Sequence, residues 1–283
     1  MPVSIATTPA SVRRQHGFTL IELTIVIVLL GVISAMVSVF VAGPVNAYFA
    51  TVRRAALTDV ADATLRSMGR DLRTALPNSI RTPLTTPAGQ CLEFIPTKTG
   101  GRYRADVDAL GSGDKLDFSM ADASFNMLAS NAALPADQRI AEGDAIAVYN
   151  LGIPGSDAYA EDNVAIVTGL TGESAVPIET GITIVPKQFP LASASNRFQV
   201  IPASEKVVAY VCRDGNLYRT ASSTFSSACP SGGAMLARHV SVCHFDYTGS
   251  DLQRNALVRL VMAFTDSTET VSLLGEVHIN NTP

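Results

Sequence analysis

The sequence lacks the usual signatures of catalysis. It contains no Gly-x-Ser-x-Gly, no His-Glu-x-x-His and no phosphate loop, so the common hydrolase, zinc-peptidase and nucleotide-binding routes have no residues to run on. A basic surplus is also missing: 21 Lys and Arg stand against 25 Asp and Glu, a formal net charge of −4. That balance excludes a nucleic-acid platform, which needs a basic patch. Histidine is scarce. His239, His244 and Cys243 lie close together, but without paired Cys-x-x-Cys spacing they read as structural residues beside a disulfide rather than a metal centre. Asp106-Val107-Asp108 and Glu161-Asp162 lack the remaining ligands of a calcium loop and read as solvated acidic turns. No cofactor and no metal are expected, and the chain is not expected to be an enzyme. No internal repeat or long low-complexity tract is present.

Charge is almost absent from one stretch. From Gly17 to Ala42 the only ionisable side chain is Glu22. The run is about 25 residues, enough to cross a hydrocarbon core of roughly 30 Å as a helix. A carboxylate inside such a run costs some 2.5–3.5 kcal/mol or more near the bilayer centre. It therefore calls for a cationic partner, and once the segment before Phe18 is removed nothing basic lies nearby. Arg13 and Arg14 precede the run, and by the positive-inside rule they hold the N-terminus in the cytoplasm. The remaining charge is uneven. Residues 48–81 carry six arginines against three aspartates, whereas residues 82–283 carry 13 Lys and Arg against 21 Asp and Glu.

The stretch Gly17-Phe18-Thr19-Leu20-Ile21-Glu22 and its apolar continuation resemble the type IV prepilin signal, which pseudopilins of type II secretion also carry. The resemblance implies cleavage between Gly17 and Phe18 by prepilin peptidase, a membrane-embedded aspartic peptidase. It implies N-methylation of Phe18, and a role for Glu22 in subunit assembly, where it faces the N-terminal amine of a neighbouring pilin. The implied fold class is α+β: a long N-terminal transmembrane and amphipathic helix followed by an antiparallel β-sheet head. The implied location is the bacterial inner membrane, single-pass, with the head in the periplasm and the subunit in the pilus after assembly. The implied partners are prepilin peptidase, the other major and minor pilins and the inner membrane.

The domain reading is a cleaved leader over 1–17, a transmembrane helix over 18–42, a helix continuation over 43–77 packed on the head, and a β-rich head over 78–283. Gly43-Pro44 predicts a kink or local loosening, because proline removes a backbone donor and crowds the preceding turn. Val52, Ala56, Val60, Thr64, Met68, Leu72 and Leu76 recur every four residues and predict one apolar stripe, with Leu57 and Ala63 beside it. Asp62 and Arg66 form an i,i+4 pair. Pro77 is expected to end the helix. Beyond residue 80 the pattern changes to short strands, predicted at 91–95, 115–118, 144–150, 164–168, 182–185, 197–201, 206–213, 216–220, 236–247, 256–265 and 270–279. Asp214-Gly215 predicts a tight hairpin turn. Residues 121–142 read as a loop with room for a short helix.

Five further segments are similar to O-type minor pilins of the mannose-sensitive haemagglutinin (MSHA) pilus. They are Cys91-Leu92-Glu93-Phe94, Gly101-Arg102-Tyr103-Arg104, Val208-Ala209-Tyr210-Val211-Cys212, Val242-Cys243-His244-Phe245-Asp246-Tyr247 and the ending Glu276-Val277-His278-Ile279-Asn280-Asn281-Thr282-Pro283. They imply a minor pilin in pilus biogenesis. A J-type pseudopilin of type II secretion shares the helix-plus-sheet plan, and a membrane-anchored periplasmic adhesin or binding protein that never polymerises is the alternative of another class. Four cysteines in an oxidising compartment read as two disulfides. Loop length favours Cys212–Cys229 and Cys91–Cys243, with Cys229–Cys243 as the rival short bridge.

Overall fold

The computed structural model describes residues 17–86, 89–109, 111–175, 178–225, 228–229, 232–248 and 255–283. They form two compact units, divided between Val52 and Arg53. One helix, α1 (Leu20–Arg73), contributes to both.

In the first unit α1 has no core to face. Its large apolar side chains, among them Leu20, Val28, Met36 and Phe40, are exposed. Its hydroxyls turn back on the helix: Thr24 Oγ1 donates to the carbonyl of Ile21 at 2.9 Å, Ser38 Oγ to Ser34 at 2.8 Å and Thr51 Oγ1 to Ala47 at 2.9 Å. These three hydroxyls are thus satisfied within the element, as an apolar medium requires. The helix runs on through Gly43-Pro44, although Pro44 offers no N–H to the preceding turn.

In the second unit, 53–283, α1 is amphipathic. Leu57, Ala61, Thr64, Met68 and Leu72 are buried, and the stripe corrects the expected one. Val52, Ala56 and Val60 are exposed. The reason is angular, since each step of four residues overshoots a full turn by about 40°. A strict period of four therefore walks off the face, and the real stripe mixes steps of three and four. The helix also stops earlier than Pro77. After Arg73 the chain bends into sheet-like contacts, with Leu76 N donating to Ile95 O and Thr97 N to Thr74 O, both at 2.8 Å.

Among the described residues fourteen strands follow: β1 (Arg81–Thr86), β2 (Gly89–Phe94), β3 (Thr99–Arg102), β4 (Asp122–Met127), β5 (Ala145–Ala147), β6 (Val164–Ala175), β7 (Ile178–Lys187), β8 (Arg197–Ile201), β9 (Val207–Arg213), β10 (Asn216–Ser222), β11 (Ala234–Ala237), β12 (Val240–Thr248), β13 (Asn255–Asp266) and β14 (Glu269–Asn280). They build three sheets ordered β1-β2-β9-β10-β11, β12-β13-β14 and β3-β8-β5-β6-β7-β4. All pairings between these strands are antiparallel. The six-stranded sheet lies, in sequence, wholly between β2 and β9. The head is therefore an α+β arrangement of one helix and antiparallel sheets.

One hydrophobic cluster joins the helical stripe to the five- and three-stranded sheets, through Leu92, Phe94 and Tyr210 on one side and Val258, Leu260, Phe264 and Val277 on the other. A second, with Phe125, Phe189 and Phe198, fills the six-stranded part. The Asp214-Gly215 turn forms as expected: Arg213 opposes Asn216, and both turn residues have positive φ, 50° and 71°, the backbone of a type I′ hairpin.

Several strand expectations are corrected. Residues 115–118 form no ladder. Leu116 is buried, but the Asp117 N–H donates to the Asp122 carboxylate at 2.8 Å instead of to a strand. The single strand expected over 236–247 breaks at His239, whose φ is 61°, into β11 and β12 of different sheets. Residues 121–142 contain β4. β1 and β3 were not expected, because Pro83 and the pair Gly100-Gly101 argue against strands. Pro83 sits on an edge strand, where the lost donor does no harm. Gly101 is demanded by packing, since a Cβ there would lie 2.8 Å from the Phe198 ring.

Candidate functional site: the helix entrance and its anchors

The Gly17-Phe18 peptide precedes the helix in an exposed, non-helical segment. Thr19 caps α1: its Oγ1 accepts from Glu22 N at 3.3 Å and its carbonyl from Leu23 N at 3.1 Å. Glu22 is thus the third helical residue, and Thr19-Leu20-Ile21-Glu22 has the spacing of a capping box. That pattern was readable in the sequence and gives Thr19 a role that the motif alone did not suggest.

The cap and helix dipole favour a carboxylate at this position by about 0.3–1 kcal/mol. This offsets only part of the 2.5–3.5 kcal/mol that a membrane charge costs on the mildest scale. Among the described residues no cation pairs with Glu22. A partner has to come from outside the described chain. The same holds for Gly17. A side chain there would meet nothing within 4 Å and the residue has no positive φ, so nothing in the described fold requires glycine. Gly31 is similar: no neighbour lies within 4 Å, yet glycine inside a helix costs about 1 kcal/mol relative to alanine. Close approach of another helix would account for it. Arg13 and Arg14, on which the expected orientation rests, lie outside the described residues.

Residues 12–38 match the family model of the prokaryotic N-terminal methylation motif. The match takes in the residues just before Phe18 and most of the apolar run. It supports a pilin- or pseudopilin-type subunit, with processing by prepilin peptidase and assembly among pilins as its consequences. The long exposed apolar helix fits a membrane-anchored pilin. No curated protein and no solved structure matches the chain.

A polar cluster ties the last turn of α1 to the five-stranded sheet. The Asp71 carboxylate accepts from the Tyr210 hydroxyl at 2.8 Å and from Arg219 Nε at 2.9 Å, while Arg219 also grips Glu205 with two bonds of 2.8 and 2.9 Å. The bond from Arg219 holds the Glu205 carboxyl below its usual range. Burial, then the Asp71 charge, pushes the Tyr210 hydroxyl well up. Arg54 meets Glu269 at 2.6 Å near the other end of this segment.

All four cysteines form disulfides, but neither expected pairing occurs. The bridges are Cys91–Cys229 and Cys212–Cys243, with Cα atoms 6.1 and 6.4 Å apart. Strand parity explains this. β2 and β9 are neighbours with Cys91 opposite Val211, so Cys212, one residue on, points to the other face. Cys91 joins Ala209, Val211 and Cys229 on one side, whereas Cys212 belongs to the main core, against which Cys243 packs. Each cysteine takes the partner on its own face.

Beside the first bridge, Glu93 is fully buried and doubly engaged. Arg81 Nε donates to it at 2.6 Å and Cys229 N at 2.8 Å. Cys91, Cys229 and Glu93 are close enough to hold a metal ion, but the sulfurs are bonded to each other and the carboxylate already has donors. Cys243 is likewise bonded, so the His239, His244 and Cys243 grouping loses its thiolate. The acidic turns are committed to backbone: Asp106 accepts from Val107 N, Asp108 from Ser112 N and Asp162 from Gly155 N.

Proposed function

We propose that the chain is a minor pilin, a low-abundance structural subunit for biogenesis of a type IV pilus of the MSHA type. Prepilin peptidase cuts after Gly17, Phe18 is methylated, and the mature subunit joins the filament through its N-terminal helix. Its role is structural rather than catalytic. The observation that carries the reading is Glu22: a carboxylate at the entrance of a bare apolar helix, with no cation among the described residues to meet it. An anchor has no use for such a group, whereas a helix bundle that supplies an amine does. The similarity of the segments from Cys91 to Pro283 supports the pilus over type II secretion. In these terms the head faces the periplasm and the partners are other pilins.

The test begins with the N-terminus. Mass spectrometry of protein from its native host is expected to find a mature chain starting at methylated Phe18, and Gly17→Val is expected to block processing. A mature terminus elsewhere refutes the reading. Deleting the gene is then expected to reduce surface pili and leave protein secretion intact; the reverse outcome makes the chain a pseudopilin.

A further inference from the structure

Two arginines of the head stand apart. Among the described residues beyond 80, the other arginines each hold a carboxylate, a backbone carbonyl, a sulfur or an aromatic ring, as Arg104 holds Glu179 and Arg213 lies over Tyr218. The exposed side chains of Arg102 and Arg197 hold none. They are ladder partners, Arg102 on β3 directly opposite Arg197 on β8. Like charges placed so destabilise a strand pair. Two residues along the same face, Gly100 opposes Gln199, and the Gln199 Oε1 is buried with no donor. Such an acceptor normally finds a partner. A hollow of about 490 Å³ opens here, lined also by Thr99 and Leu128, within the usual size range of small-ligand sites.

We propose that this hollow binds an acidic sugar. The two guanidinium forks take its carboxylate or sulfate, the geometry in which arginine binds oxyanions best. Gln199 Oε1 accepts from a neighbouring hydroxyl, and Leu128 offers an apolar edge to the ring's C–H groups. An anion removes the repulsion between the arginines, and a hydroxyl satisfies the stranded acceptor; simple chloride does only the first. An acidic peptide adding as a strand fits less well. The outer edge of β3 is already used, since Leu128 N donates to Arg102 O at 2.9 Å. The site is independent of how the N-terminal helix is processed or assembled.

The experiment titrates the full-length chain in detergent with five probes at low salt. These are a glucuronate-containing disaccharide, a sulfated disaccharide, their neutral counterpart, inorganic sulfate and a glutamate-rich peptide. At least one acidic disaccharide is expected to bind about tenfold or more tightly than the other three probes, and which one binds identifies the anion. Arg102→Ala and Arg197→Ala are each expected to weaken it by about tenfold or more, the loss of a charge-assisted bond. Arg102→Lys, which keeps the charge but not the fork, is expected to weaken it as well. Gln199→Leu is expected to weaken the sugar and not inorganic sulfate. Without ligand, Arg197→Ala is expected to leave Tm unchanged or raised. No binding of either acidic sugar at millimolar concentration overturns the proposal. So does equal binding of the neutral sugar, sulfate or peptide, or a double arginine variant that binds like wild type.

Discussion

Compare the first part of α1, Leu20 to Val52, with its last part, Leu57 to Leu72. The first is apolar almost throughout and leaves its large side chains exposed all round, while the second mixes apolar with charged residues, buries one stripe and sets its charges on other faces. The first part settles the hydroxyls of Thr24, Ser38 and Thr51 on its own backbone and, among the described residues, leaves Glu22 without a counter-charge. The second settles Asp71 on Tyr210 and Arg219 of the five-stranded sheet, and just ahead of it Arg54 meets Glu269. A helix apolar on every side is made for surroundings that are apolar on every side; a striped one is made for a single protein face. One element is thus built for two media, and its sequence changes pattern where the medium changes.

The sharpest way to break this contrast is at its one exception. Glu22→Leu is expected to leave membrane insertion intact, since it removes a charge from an apolar run, and to lower recovery in assembled filaments tenfold or more. Equal recovery of variant and wild type in purified pili would show that the carboxylate is idle. Next come the bridges, which only the head possesses. In the chain-entropy model, removing Cys91–Cys229, with sequence separation 138, costs about 5 kcal/mol, and removing Cys212–Cys243, with separation 31, about 4 kcal/mol. Denaturant unfolding of the paired Cys→Ser variants checks both the size and the order.

Within the helix itself, Leu72→Ala is expected to cost about 2–5 kcal/mol of head stability because its side chain is wholly buried. Val37→Ala, exposed within the first unit, is expected to leave the head's unfolding unchanged. Equal effects would erase the distinction between the two parts. The smallest effect concerns pH. Arg219 lowers the folded-state pKa of Glu205, so the pair's stabilisation is complete above the ordinary glutamate value near 4.3 and is lost as pH falls through the lowered folded value. Glu205→Gln is expected to flatten that acid limb in a series of Tm measurements, by a modest amount because the pair is partly exposed.

What was legible in the sequence was local. Gly17 to Glu22, the apolar run and the Asp214-Gly215 turn each announce themselves within a few residues. The registers between distant segments did not. Cys91 could be assigned to Cys229 only by knowing that β2 lies beside β9, so that neighbouring sulfurs face opposite sides. β4 hid its alternation of Ser124, Phe125, Asn126 and Met127 among alanines and polar residues. Arg102 and Arg197 looked like two ordinary surface charges until β3 and β8 were paired.

The position of the six-stranded sheet in the chain has a wider consequence. Phe94 and Val208 are ladder partners, so the polypeptide leaves the five-stranded sheet after Phe94 and re-enters it at almost the same place. Everything from β3 to β8 is, topologically, a cassette hung from one point of a frame. The frame holds the helix; the cassette holds the paired arginines. Insertions and exchanges at such a point disturb few registers on either side. A lineage could therefore change what the outer part meets while leaving untouched the part that inserts and assembles.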